Sequence, residues 1–262
     1  MDANHSFLAF SGDQEELWNA ASAQSYDTPG EGMFAPEVLG PTVEVLERLA
    51  DGGAALEFAI GTGRVALPLR ERGVPVSGIE ISRPMIAQLR TKASEDLIPV
   101  VRGDMSTARV EGEFTLVYLV FNTIGNLLTE DAQIECFRNA ARHLRPGGRF
   151  VIELGVPKIP HRDDPQALVF SHSPGYFGID TYDTVNNLIV SHHFRFDPEL
   201  SNDADHRQAT VSRTPHRYIL PAELDLMARI AGFELDERYS DWSGSDFTSR
   251  STSQVSIYRL TQ

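Results

Sequence analysis

The sequence carries one cysteine, Cys136, and two tryptophans in 262 residues. A single thiol closes no internal disulfide and anchors no thiolate metal cluster, which fits a reducing compartment. Its helical surroundings make it a packing residue. Positive charge is also scarce: 23 Lys plus Arg stand against 37 Asp plus Glu, a formal charge of -14. Most of such a surface repels a phosphate backbone or an anionic membrane, so neither nucleic acid nor membrane is an expected partner. No stretch of about 18 apolar residues occurs. The first residues, Met1 to Phe7, lack a basic head followed by an apolar run. The expected location is therefore cytoplasmic. There is no internal repeat and no low-complexity tail.

What is present is enough apolar side chain, 41% of residues, for a full core. The segment Asp13 to Ala21 reads as a short helix, with Tyr26 and the turn Pro29-Gly30-Glu31-Gly32 behind it. A second helix carries Val38, Leu39, Leu46 and Leu49. From residue 54, apolar runs of strand length alternate with helical patterns: Ala54 to Ile60, Val76 to Ile81, Ile98 to Val101, Phe114 to Phe121 and Arg149 to Leu154. Runs apolar on both sides and separated by helices indicate a mostly parallel sheet with both faces covered, an α/β doubly wound fold. Ser82 and Thr129 are the helix caps, and Arg145-Pro146-Gly147-Gly148 ends the second capped helix.

Residues 156–218 break the rhythm with Pro157, Pro160, Pro165 and Pro174 and with short β-like runs at Tyr176 to Tyr182, Leu188 to Phe196 and His206 to Tyr218. These predict an antiparallel β insertion. The alternation returns with a helix opened by Pro221 and closed by Gly232, then strands near Phe233 to Tyr239 and Val255 to Leu260. The expected organisation is an N-terminal helical cap (1–37), a cofactor-binding core (38–155), the insertion as a substrate lid (156–218) and a C-terminal completion of the core sheet (219–262).

Gly61-Thr62-Gly63-Arg64-Val65-Ala66 satisfies the dinucleotide pattern GxGxxG/A, and Glu80 lies about 20 residues on, where a ribose-binding acid belongs. On those grounds alone a nicotinamide oxidoreductase and a methyltransferase are both open. Glu57, just ahead of the glycines, favours the second. A pyrophosphate would be repelled there, whereas S-adenosylmethionine carries an ammonium and a sulfonium that a carboxylate attracts. Asp104, after the third strand, is a third acid at a strand's carboxyl end, with Met105 beside it. Each acid also has a plain reading: Glu57 a lysine-paired acid, Glu80 a strand-end acid, Asp104 a turn cap.

Leu56-Glu57-Phe58-Ala59-Ile60-Gly61-Thr62-Gly63 resembles the first motif of class I S-adenosylmethionine-dependent methyltransferases, and Gly78 to Ser82, Gly103-Asp104-Met105 and Leu144 to Phe150 resemble the later motifs in order. The match spans roughly residues 40 to 155. It implies a Rossmann-like seven-stranded sheet. It also implies a cofactor site of Glu57, Ala59, Gly61, Thr62, Gly63 and Arg64 at the methionine end, Glu80 at the ribose, and Ile81, Asp104, Met105 and Val120 about the adenine side and the fourth strand. Glu57 stands where the family often has Asp. Ala59 stands where it usually has Gly, which is tolerable if its φ is negative.

The segment Phe121 to Leu127 resembles a motif of bacterial amino-sugar N-methyltransferases, which tend to carry His where this chain has Asn126. Tyr26 is similar to the tyrosine that closes over the cofactor in that group. The expected catalytic residues are Tyr26, Asn126 and His216. The pair His192-His193 points to opposite faces if it lies on a strand, and no third ligand of recognisable spacing suggests a metal. The expected reaction is methyl transfer to N or O of a small-molecule acceptor. A nicotinamide oxidoreductase and a non-catalytic S-adenosylmethionine-binding protein are the alternatives. Nothing in the sequence fixes an oligomeric state.

Overall fold

A computed structural model describes residues 17–160, 167–196 and 208–261. In chain order the elements are α1 (Ala20–Tyr26), α2 (Pro36–Ala50), β1 (Ala55–Phe58), α3 (Ala66–Glu71), β2 (Val76–Glu80), α4 (Arg83–Arg90), β3 (Val100–Arg102), β4 (Phe114–Leu119), α5 (Glu130–His143), β5 (Leu144–Gly155), β6 (Ala167–Ser173), β7 (Tyr176–Asp183), β8 (Leu188–Phe196), β9 (Ala209–Arg217), α6 (Pro221–Ile230), β10 (Phe233–Tyr239) and β11 (Ser253–Leu260). Short 3-10 turns cover Gly32–Phe34 and Thr123–Asn126. Two compact units emerge among the described residues. One comprises 125–128, 157–160, 167–196 and 208–219; the other holds the rest.

The larger unit is built on a seven-stranded sheet of order β10-β11-β5-β4-β1-β2-β3. β1 to β5 pair in parallel, while β11 runs antiparallel to both β5 and β10. This is the expected doubly wound, mostly parallel architecture. Every residue of β1 and of β4 is buried, as central parallel strands with helices on both faces require. Parallel pairing also brings the carboxyl ends of β1 to β5 to one edge, which is where such sheets bind ligands.

Alternation assigns the two faces. Ala55, Leu116, Tyr118, Val151, Val255 and Ile257 join Leu46 and Leu49 of α2 in one apolar layer. On the other face Phe150 packs against Phe58, Phe137 and Phe233 with ring centroids 5.2 to 6.1 Å apart. The smaller unit carries an antiparallel sheet of order β6-β7-β8-β9.

Several local expectations are corrected. Of the helix expected from Asp13 to Ala21, residues 13–16 lie outside the described residues and Leu17 is helical; a separate helix covers Ala20–Tyr26, started by the Asn19 side chain, which accepts from the N–H groups of Ala21 and Ser22. Val38, expected on the buried face of its helix, is 46% exposed. β5 begins at Leu144 rather than Arg149, since Leu144 already pairs with Phe114 across a register shift. The insertion has one strand more than expected, β6, an edge strand whose side chains are mostly exposed. Exposure removes the alternation that marks a strand in sequence. Ser82 and Thr129 do cap α4 and α5, accepting from Met85 N at 3.2 Å and from Ala132 N at 3.2 Å. Among the described residues no helix is long and apolar enough to cross a membrane.

Candidate active site

β1 delivers Glu57 into the ligand-binding edge of the sheet. Glu57 and Tyr118 are register partners on adjacent parallel strands, and the Tyr118 hydroxyl donates to Glu57 Oε2 at 2.9 Å. Glu57 is buried, and desolvation pushes its carboxyl up to about 8 against the opposing pull of the Tyr118 hydrogen bond and the Arg64 charge. Tyr118 is raised for the same first reason, and by the neighbouring acid. Near neutral pH burial therefore favours the protonated form of Glu57. A cation would draw out the carboxylate.

The chain then turns through Ala59 at φ 52°, Gly61 at 57° and Gly63 at 82°. The sequence reading made Ala59 tolerable if its φ were negative. It is positive, so this alanine holds a left-handed conformation at a cost of about 1–2 kcal/mol. Ile60 N–H to Ile79 O (3.0 Å) and Gly61 N–H to Glu80 Oε2 (2.8 Å) hold the backbone on either side of the turn. Gly63 has no such latitude: a Cβ there would come within 2.5 Å of Leu89 Cδ1.

Glu80 ends β2 with both oxygens engaged, Oε2 by Gly61 N–H and Oε1 by Ser82 N–H, each at 2.8 Å. Burial raises its carboxyl while these backbone bonds pull it back. Glu80 thus fixes the glycine loop through backbone donors on both of its oxygens. Asp104 Oδ1 accepts from Ser106 N (2.7 Å) and Oγ (2.6 Å), the turn cap of its plain reading. Met105 and Val120 are buried, and Arg102 Nε reaches Ile81 O at 3.2 Å.

Tyr26 stands at the end of α1, its ring edge-on to Trp18 and Phe34 at 5.9 and 6.1 Å. Burial raises its hydroxyl, the Arg64 charge lowers it, and both Glu57 and Glu80 lie close enough to raise it further. Tyr26, Glu57, Arg64 and Glu80 therefore share one electrostatic neighbourhood. Asn126 and His216 belong to the other unit, where a Cβ on Gly125 would meet His216 Cβ at 3.7 Å. Burial, aided by His193, lowers His216 to about 4 and leaves it neutral. His192 and His193 do take opposite faces, the first bonded to Thr181 and the second to Tyr176.

Arg64, expected at the methionine end, donates to Met33 O at 3.2 Å and lies over the Phe34 and Phe121 rings at 5.9 and 5.5 Å. Several further participants are not among the expected residues. Phe121 and Asn122 are consecutive left-handed residues at the exit of β4, with φ 58° and 59°. Glu153 braces them: Oε2 takes Phe121 N–H at 2.8 Å and its carbonyl takes Asn122 N–H at 3.2 Å, while Oε1 takes the Trp242 indole N–H at 2.9 Å. Beside it lies a cavity of about 230 Å³ walled by Glu37, Val38, Glu153, Asp241, Trp242 and Val255. Among the described residues no Lys or Arg lines it. The strand alternation of β4 and β5 is the one sequence signal that puts Tyr118 and Glu153 on this face.

Residues 55–148, which hold β1, the glycine loop, both strand-end acids and the start of β5, match the model of the methyltransferase domain family. The chain is a class I S-adenosylmethionine-dependent methyltransferase. Its cofactor is S-adenosylmethionine, and the nicotinamide reading falls. The methyltransferase is similar over most of its length to the cypemycin N-terminal methyltransferase of a Streptomyces species, 28% identical over 92% of this chain and 96% of that protein. It is also similar to the structure of the CcbJ methyltransferase from Streptomyces caelestis, with 29% identity, 93% and 96% of the two chains covered and a TM-score of 0.78. An S-adenosylmethionine-bound amino pentose methyltransferase from Micromonospora echinaspora shares the fold at 18% identity, 95% and 100% coverage and a TM-score of 0.67.

Proposed function

We propose that this methyltransferase methylates an amine nitrogen of a small molecule or peptide. The observation that carries the reading is the cavity beside Glu153, with three carboxylates and an indole in its wall and no cationic side chain. Such a lining attracts an ammonium and rejects an anion. The likeness to the cypemycin N-terminal methyltransferase along nearly the whole chain supports the same acceptor chemistry.

The residues present fit the cofactor. Glu57, buried and facing no lysine, suits its ammonium; the glycine loop, with Thr62 and Arg64, suits close approach of the methionine portion. Glu80 suits the ribose hydroxyls, and Ile81, Asp104, Met105 and Val120 the adenine side. When bound, S-adenosylmethionine would supply an electrophilic methyl group to the lone pair of an amine, and an acceptor arriving as an ammonium would first have to lose a proton to solvent. The protein's work is alignment and exclusion of water. Positive charge grows on nitrogen during methyl transfer, and the acidic wall stabilises it. Tyr26 covers the Glu57–Glu80 crevice from the cap. His216, neutral at working pH, and Asn126 can act as hydrogen-bonding groups but not as strong bases.

The test is transfer of radiolabelled methyl from the cofactor to a panel of free amines, including an N-terminal peptide and an amino sugar, against their N-acetylated forms. Label in the free amines alone is expected. Label in hydroxyl compounds, or equal label in blocked amines, overturns the reading.

A further inference from the structure

Asp27 is out of place by local rules. It is the C-cap of α1, where the carbonyl end of the helix disfavours an acid by roughly 0.3–1 kcal/mol. Residues that break a local rule and persist do so for partners elsewhere. The partners here are unambiguous. Asp27 Oδ1 accepts from the Thr62 hydroxyl at 2.5 Å, and Oδ2 takes Lys92 Nζ at 2.6 Å. Thr62, 1% exposed, is the residue between the two left-handed glycines of the cofactor loop. Lys92 follows α4 directly.

The same N-terminal segment is tied down at two more points. The Ser82 hydroxyl donates to Trp18 O at 2.6 Å, and Arg64 donates to Met33 O. One of these ties ends on the turn after β2 and the other on the loop after β1. Glu80 holds the loop through the Gly61 N–H, and Asp27 holds it through the Thr62 hydroxyl. The edge-to-face row of Trp18, Tyr26 and Phe34 lies within the segment itself and stiffens it without fastening it to the loop. The carboxylate of Asp27 is the charged, two-armed joint among these ties, and its bonds must break before residues 18–34 can lift.

We propose that Asp27 is a positioning residue that latches the N-terminal segment onto the glycine loop, so that its release gates exit of the demethylated cofactor. Glu80 holds a backbone N–H of the loop and Asp27 a side-chain hydroxyl of the next residue, so removal of Asp27 leaves Glu80 to hold a turn of left-handed residues. Thr62 and Asp27 act as one unit in this scheme, and Lys92 holds the carboxylate in place for the hydroxyl. Product release limits turnover in many enzymes whose sites close. Loosening the latch therefore speeds dissociation more than it slows association.

The experiment is stopped-flow dissociation of S-adenosylhomocysteine from the full chain and from Asp27→Ala, Asp27→Asn, Thr62→Val, Lys92→Met and the double variant Asp27→Ala/Thr62→Val, with thermal melting of each. Expected is a dissociation rate raised at least ten-fold by Asp27→Ala and Thr62→Val, and less by Asp27→Asn, which keeps an acceptor for the hydroxyl. The double variant should match the faster single variant instead of multiplying the two effects. Melting temperatures should move little, and so should the association rates of Asp27→Ala, Asp27→Asn and Lys92→Met; Thr62→Val lies in the cofactor loop, and it is read through its coupling to Asp27. Dissociation within two-fold of the parent in folded Asp27→Ala and Thr62→Val overturns the latch, as does multiplication in the double variant. Should Asp27→Ala not fold, Lys92→Met with Thr62→Val decides the question by the same criteria.

Discussion

The two sheets treat the same residue types differently. Phe150 in β5 is 0% exposed and touches three other aromatic rings, whereas Phe170 in β6 is 45% exposed and rests on Tyr176 and His193. Polar groups diverge in the same way. Glu57 and Glu80 are buried with fixed donors, while the pairs Tyr176–His193 and Thr181–His192 sit on half-exposed strands. One sheet is a rigid frame that fixes where a cofactor lies. The other is a polar antiparallel sheet whose side chains pack against few neighbours.

Paired phenylalanine substitutions give the largest contrast. Phe150→Ala should cost about 3–5 kcal/mol in urea unfolding through the cavity it leaves, and Phe170→Ala under about 1 kcal/mol. Equal costs would erase the distinction between frame and surface. Next in size, Glu57→Ala should weaken S-adenosylmethionine binding by roughly ten- to 100-fold in calorimetry, the range for a hydrogen bond to a charged group. A loss below three-fold would remove Glu57 from the site.

A pH dependence follows from the same residue. Its folded-state value of about 8 lies above the ordinary 4.5, so the empty folded protein keeps a proton that the unfolded chain releases. That contribution to stability is present at low pH and fades as pH rises toward 8. Glu80, shifted in the same direction, adds to the slope. The melting temperature of the cofactor-free protein should fall between pH 5.5 and 8, and Glu57→Gln should flatten the fall. Cofactor affinity should run the other way, tightening by up to about ten-fold per unit between pH 6 and 7 as binding expels the proton. The smallest effect expected is on the insertion: Tyr176→Phe removes the 2.6 Å contact to His193 and should change stability by no more than about 1 kcal/mol.

The frame was the legible part. Caps at Ser82 and Thr129, the apolar runs of β1, β2 and β4 and the glycine loop all write their physics within a few neighbouring residues, so the sheet could be read from the chain. Where conformation depends on distant partners, reading failed. The sign of φ at Ala59 is set by bonds to β2, and the edge strand β6 lacks a buried face to give it a pattern. Asp27 and Thr62 are 35 positions apart, and Glu153 and Phe121 are 32 apart. Helical spacing misplaced Val38 because its helix leaves that first turn beside a cavity rather than under the sheet. Asn19 was missed as a cap because the acidic run before it offered an earlier start.

The lone thiol has a practical use. Cys136 is fully buried in α5, and burial raises its pKa far above the thiol range, so labelling reagents find neither access nor thiolate. A cysteine introduced at an exposed position such as Glu31 or Val185 would then be the one reactive sulfur in the chain. Fluorophores or spin labels could follow the cap and the insertion separately, without first stripping the native residue from the core.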